Sequence, residues 1–148
     1  MRDIHNIVVH CTATPQKTTT VEKLRAHWKQ IGWNAPGYHY IVLPNGRIEQ
    51  LCEEDRIANG VKGYNKTTLH VAYAGGLDHN GQPIDNRTEQ QKAALYFLVE
   101  RLKSKYPNAS IRGHRDFSPD LNGDGVISEH EFIKQCPCFD AAKEYAGI

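Results

Sequence analysis

His114 sits in Gly113-His114-Arg115-Asp116, and Cys136-Pro137-Cys138 begins twenty-two residues after it. Between them runs Asp120-Leu121-Asn122-Gly123-Asp124-Gly125-Val126-Ile127-Ser128-Glu129-His130-Glu131. An imidazole and two thiols thus bracket a segment crowded with oxygen ligands. Imidazole and thiolate favour zinc, whereas carboxylates and amide oxygens at alternate positions favour calcium. His10 closes an apolar stretch and is placed to join them. Zinc held by three protein ligands keeps one position open, as catalytic sites require. His10, His114 and one of the two C-terminal cysteines would make such a set. Spacing alone does not separate it from the plainer reading, in which each histidine is a packing residue.

The oxygen-rich segment fits the calcium-loop pattern D-x-[DN]-x-[DN]-G-x₅-E over residues 120–131. Asp120, Asn122 and Asp124 would offer side-chain oxygens and Val126 its carbonyl. Gly125 would make the sharp turn, Ser128 would hold a water, and Glu131 would close the site with both oxygens. The expectation is a structural calcium ion pinning the segment that joins His114 to Cys136. The bland alternative is a polar surface turn that keeps this shape without an ion. A calcium sensor is disfavoured, since no second loop of this kind is present.

Positioning these residues falls to a short series of elements. Ile4 to Cys11 reads as a strand, with Ile7-Val8-Val9 suited to a buried central position. It leaves His10 at its C-terminal end, where sheets with flanking helices build their sites. Thr19 and Glu22 have capping-box spacing before a helix whose apolar stripe is Val21, Leu24, Trp28 and Ile31, with Gly32 as its stop. Gly37 to Leu43 reads as a strand turned by Pro44-Asn45-Gly46 into a partner over 47–51. Alternation puts Tyr38, Tyr40 and Val42 on one face and His39, Ile41 and Leu43 on the other. Residues 55–68 are loop-like, Leu69 to Ala74 a strand, and His70 and His79 are expected at the surface. Thr88 and Gln91 form a second capping box before the longest helix, carrying Ala94, Leu95, Leu98, Val99 and Leu102. Ala109 to Arg112 is a short strand that delivers His114. The class is α/β: one domain over 1–148, a central mixed sheet flanked by helices, with the 120–131 loop inserted.

Composition narrows the function. The 148 residues carry a net charge of +1 and 24% charged side chains, which gives no footprint for nucleic acid. The apolar runs are too short for a membrane span. Polar residues interrupt Met1 to Asn6, so no signal peptide is expected, and the chain would be made in the cytoplasm. In that setting Cys11, Cys52, Cys136 and Cys138 are expected as thiols or metal ligands rather than disulfides.

Six short motifs occur in order: His10-Cys11-Thr12-Ala13-Thr14, Gly37-Tyr38-His39-Tyr40, Lys62-Gly63-Tyr64-Asn65, Gly75-Gly76-Leu77-Asp78, Gly113-His114-Arg115-Asp116 and Lys134-Gln135-Cys136-Pro137. Together they resemble the zinc-dependent N-acetylmuramoyl-L-alanine amidases of the phage T7 lysozyme and peptidoglycan-recognition-protein group, over about residues 4–142. The resemblance implies that fold, with zinc on His10, His114 and Cys136. It selects Cys136 over Cys138 because the family motif is Cys-Pro. It implies Tyr38 and Lys134 as catalytic residues that stabilise an oxyanion, and Asn65 as a substrate contact. The implied substrate is peptidoglycan, cut between N-acetylmuramic acid and L-alanine by a monomeric phage-type enzyme that acts on the cell wall after release. With no wall-binding repeat in the chain, recognition would fall to the catalytic groove. A non-catalytic peptidoglycan-binding module is the alternative. One departure concerns the loop before Gly63-Tyr64-Asn65, where many relatives carry a histidine and this chain has Ala58-Asn59-Gly60-Val61-Lys62.

Overall fold

The computed structural model describes residues 2–148. The β-branched run Ile7-Val8-Val9 forms the centre of β1 (Asn6–Cys11), with Ile7, Val8 and Val9 fully buried. β1 pairs in parallel with β5 (Thr68–Tyr73) on one side and β7 (Ser110–Gly113) on the other. β3 (Tyr40–Val42) runs parallel to β5, and β4 (Ile48–Gln50) adds antiparallel at the edge. The resulting order is β4-β3-β5-β1-β7, a mixed sheet as the sequence predicts. A small parallel ladder of β2 (Thr14–Pro15) and β6 (Gly76–Leu77) continues beyond the ends of β1 and β5, and sequence patterning gave no sign of it.

Period-two alternation sorts the sheet into two faces. Ile7, Val9, Cys11, Leu69, Val71 and Tyr73 pack beneath α2 (Glu89–Lys105) and α3 (Ala141–Glu144). Leu95, Leu98, Val99 and Leu102 are at most 3% exposed, each worth about 1.5–3 kcal/mol of burial. Packing of this stripe, more than intrinsic propensity, therefore holds α2 in place. The Thr88 capping box is present, with Gln91 N–H donating to Thr88 Oγ1 and Thr88 N–H to Gln91 Oε1, both at 3.0 Å. On the other face α1 (Val21–Gln30) buries Leu24 and Trp28 against Ile41, Leu51 and Ala74. The polar side chains of His10 and His70 occupy that second face as well, by the same alternation. Register sets them diagonally, since His70 pairs with Val8 and His10 with Ala72.

Four expectations need correction. The N-cap of α1 is Thr20, which accepts from Lys23 N–H at 3.2 Å. Thr19 instead donates its hydroxyl to the carbonyl of Pro15 at 2.6 Å, because the turn after β2 brings that carbonyl within reach. Ile31 caps the end of α1 and is 48% exposed rather than part of its buried stripe. The strand over 37–43 shrinks to Tyr40–Val42, and Tyr38 packs with the Ile41 cluster while Tyr40 packs with the opposite one. Regular alternation does not extend back through the irregular residues 37–39. Finally, His70 is fully buried, not at the surface, because the loop over 55–67 covers it.

Candidate active site

β1 and β7 end side by side, with Val9 opposite Gly113, so the next residues, His10 and His114, meet. Their Nδ1 atoms lie 3.1 Å apart and their rings stand edge to face at 73°. Asp116 accepts from Gly113 N–H at 2.8 Å and fixes the single turn His114–Phe117 that carries the second imidazole. Cys136 arrives from the far end of the 118–135 segment and is held by several contacts. Cys11 N–H donates to its Sγ at 3.2 Å, and Arg115 N–H to its carbonyl at 2.8 Å. The Tyr73 hydroxyl donates to the carbonyl of Pro137 at 2.7 Å. A Cβ on Gly113 would meet Pro137 Cδ at 2.8 Å, so the backbones approach as only glycine permits. Arg87, clamped by Asp85 and Glu144 and lying 3.4 Å over the Phe139 ring, anchors the chain beyond Cys138.

Sγ of Cys136 lies 3.8 Å from His10 Nδ1, and one donor atom from each of His10, His114 and Cys136 falls within 4.8 Å of the others. Tetrahedral zinc with Zn–N near 2.0–2.1 Å and Zn–S near 2.3 Å sets ligand separations of roughly 3.3–3.6 Å. The three atoms fit that ion. Burial pushes His10 well below the ordinary histidine range, helped by His70, His114 and Lys134. Burial, with Lys134, lowers His114 to about 4. Both imidazoles are therefore neutral at pH 7, the form that binds metal. Cys138 is not part of the cluster; its sulfur lies 4.0 Å from that of Cys11.

The cluster forms the floor of a cleft of about 590 Å³ lined by Tyr38, Trp28, Trp33, Phe132 and Lys134 among others. Tyr38 stands 5.2 Å from the His10 ring and 5.6 Å from Trp28, and its hydroxyl makes one long bond of 3.4 Å to the carbonyl of Cys11. Burial, then the nearby Cys136 sulfur, drives its phenol upward, so it remains an O–H donor. His39 does not line the cleft and stacks on His70. Lys134 is exposed, lies outside any helix and makes no ion pair among the described residues. A second groove shares Trp33, Asn59, Gly60, His114, Ile133 and Lys134 with the first and extends along Val61 to Asn65 and Phe117. Tyr64 packs edge-on against Phe117 at 4.6 Å and builds its wall.

Asn65 is brought to the site from behind. Its Oδ1 accepts from Val61 N–H at 2.8 Å and lies 2.8 Å from His70 Nε2, while His70 Nδ1 lies 2.9 Å from His10 Nε2. Sequence reasoning missed His70. The available signal was its place in a strand where Leu69, Val71 and Tyr73 alternate with His70 and Ala72. The space that a side chain at position 60 would take is filled by the His70 ring, since a Cβ there would meet its Nδ1 at 2.2 Å.

Among the calcium-loop candidates, donor atoms of Asp120, Asp124 and Glu131 lie within 4.8 Å of one another. Asp120 accepts from Gly123 and Gly125 N–H, at 3.0 and 2.7 Å, and Asn122 and Asp124 cap the turns that follow. Glu131 is 2% exposed and accepts from the amides of Leu121, Asn122 and Ser128. A 3₁₀ turn (His114–Phe117) precedes the loop and another (Glu129–Glu131) forms its last residues, where a helix–loop–helix calcium site would have helices.

An α/β sheet with two neutral imidazoles and a thiol gathered under an open cleft is an arrangement suited to a hydrolase. The chain belongs to the N-acetylmuramoyl-L-alanine amidase family, whose profile matches residues 1–138, and is a peptidoglycan hydrolase of that class. It is 36% identical over 133 residues to an endolysin of Enterobacteria phage K11, covering 89% of this chain and 79% of that one. An endolysin of Escherichia phage T7 is 33% identical over 135 residues, covering 90% and 80%. The solved Ph2119 endolysin from the Thermus scotoductus MAT2119 bacteriophage superposes with a TM-score of 0.69 at 27% identity, over 93% of this chain and 79% of that one.

Proposed function

We propose that this chain is a zinc-dependent amidase of phage-endolysin type that cuts the bond between N-acetylmuramic acid and L-alanine and reaches the wall after release from the cytoplasm. The observation that carries this reading is the convergence of His10 Nδ1, His114 Nδ1 and Cys136 Sγ at the floor of the cleft. Zinc held there supplies Lewis acidity and a water activated near neutral pH. The residues of the chain do the rest. The Tyr38 hydroxyl leaves its long bond to Cys11 for the stronger acceptor that forms as the scissile carbonyl oxygen gains charge. The Lys134 ammonium, free of an ion-pair partner among the described residues, adds a second donor from the cleft rim. Trp33, Tyr64 and Phe117 offer aromatic walls to the glycan or stem peptide along the second groove. Asn65 lines that groove too; with Oδ1 committed inward, any substrate contact falls to its amide nitrogen.

The residues at 120–131 support a structural calcium ion, held by Asp120, Asn122, Asp124, the Val126 carbonyl and Glu131, within a single amidase domain over 1–148. The rival reading, a non-catalytic wall-binding module, is opposed by the presence of all three zinc donors with Tyr38 and Lys134. Incubation of the zinc-loaded protein with purified peptidoglycan decides between them. Free stem peptides with intact glycan strands are expected; binding without peptide release would overturn the amidase reading.

A further inference from the structure

We propose that His70, oriented by Asn65, is a positioning residue that fixes the tautomer of His10 and leaves His10 Nδ1 bare to bind zinc. This rests on His10 being a zinc ligand. The order of donors is set by a single unambiguous group. Val61 N–H can only donate, so the Asn65 atom 2.8 Å away is the amide oxygen. That oxygen can only accept, so His70 Nε2, also 2.8 Å from it, carries a proton. In a neutral imidazole the other nitrogen is then an acceptor, and His70 Nδ1 faces His10 Nε2 at 2.9 Å. His10 Nε2 must be the donor, and its Nδ1 keeps a lone pair aimed at His114 and Cys136.

Geometry also opposes a charged His70. The ring stacks on His39 at 10°, and His39 Nε2 lies 3.1 Å from the Arg2 guanidinium. No carboxylate touches either ring among the described residues. His70 N–H donates to His39 Nδ1 at 3.0 Å, which ties β5 to the residue before β3. Gly60 lies so close on the other side that a Cβ there would fall 2.2–2.5 Å from His70 Nδ1, Cγ and Cε1. The ring has no room to rotate out of line. Hydrogen bonds of this kind to a ligating histidine commonly change metal affinity by about 10–100-fold.

Two measurements test it. In ¹⁵N-labelled zinc-free protein, long-range proton–nitrogen spectra of the histidine rings should show His10 and His70 both protonated at Nε2 and bare at Nδ1. In competition with a chromophoric chelator, His70→Leu and Asn65→Leu should bind zinc about 10–100-fold more weakly than wild type. Asn65→Asp, which keeps the acceptor, should bind as tightly or more so, with near-ultraviolet circular dichroism confirming that each variant folds. A proton on His10 Nδ1 in the wild type overturns the relay, as does unchanged zinc affinity in both leucine variants. Failure of the underlying reading is distinguishable: wild-type protein would then take up no zinc, while the ring tautomers would still be legible.

Discussion

The backbone amide of Cys11 donates to the sulfur of Cys136 across 125 positions of sequence, so the residue after His10 holds the thiol of the His10–His114–Cys136 cluster. The same sulfur lies 3.6 Å from the Cys11 carbonyl, so one residue of β1 meets it through both backbone groups. Cys138, two residues on, points elsewhere: its sulfur lies 4.0 Å from that of Cys11 and 3.7 Å from the Gly76 carbonyl, and its thiol is pushed up by Cys11 and by burial.

Cys136→Ser should therefore abolish zinc uptake under conditions where wild type retains the ion, and Cys138→Ser should leave it in place. Elemental analysis of the two purified variants checks this. Equal loss in both would move the ligand assignment away from Cys136.

Tyr38 and Lys134 lie beside the cluster without belonging to it, so removing either should spare metal binding and slow turnover. Tyr38→Phe keeps the edge contact to Trp28 while deleting the hydroxyl. Each of Tyr38→Phe and Lys134→Ala should lower kcat by about 10²–10³-fold with zinc content unchanged. Steady-state rates on soluble muropeptides, paired with metal analysis, separate this from a binding defect, which would raise KM instead.

The buried histidines make the zinc-free protein sensitive to acid. Burial holds His39 and His114 near 4 and puts His10 and His70 well below their ordinary value. In the unfolded chain each takes up its proton near pH 6.5. The unfolded state thus binds more protons, and stability, complete above about pH 6.5, falls as pH drops toward 4. Each histidine still neutral in the fold steepens that fall by about 1.4 kcal/mol per pH unit. Urea unfolding of zinc-free protein between pH 7.5 and 4.5 should show the midpoint descending across this window. A flat profile would mean that the rings are charged in the fold.

Gly60 and His70 should behave as one unit. A Cβ at position 60 lands on the His70 ring, so Gly60→Ala should cost about 1–3 kcal/mol, as overpacking does. In a His70→Ala background the clash is gone, and the same substitution should cost much less. A double-mutant cycle by chemical denaturation reads the coupling, which additivity would reduce to zero.

What could be read ahead of the structure follows from how local each signal is. His10 and His114 were legible because a β-branched run and a short strand each end at a histidine, and parallel pairing then brings such ends together. The Thr88–Gln91 box was legible because its partners lie three residues apart. Thr18-Thr19-Thr20 defeated the same rule, since three residues of equal capping power leave the choice to the turn that precedes them. His70 was opaque for a different reason. Its burial depends on Gly60 and Asn65 folding over it from a loop that has no periodicity, and its use depends on diagonal register with His10. The choice of Cys136 over Cys138 came from the Cys-Pro motif, and of the two sulfurs it is that of Cys136 that lies beside both imidazoles.

Glu131 ties the two ends of the oxygen-rich loop together. It is buried although acidic, and its bonds from the Ser128, Leu121 and Asn122 amides, with the Ser128 hydroxyl, hold it near 2, so it stays ionised in the absence of a cation. A calcium ion would find the carboxylates of Asp120 and Asp124 already within reach of it. At calcium a hundredfold above its dissociation constant the fold gains about 2.7 kcal/mol, a rise of roughly 5–10 °C in Tm for a chain of this size. Thermal unfolding of zinc-loaded protein, with calcium titrated, should show that rise in wild type and lose it in Asp120→Ala. Because the loop leads directly into Lys134 and Cys136, the same titration should lower the rate at which zinc is lost to a chelator. A Tm indifferent to calcium would leave residues 120–131 as a turn held by its own amide-to-carboxylate bonds, with Glu131 as its keystone.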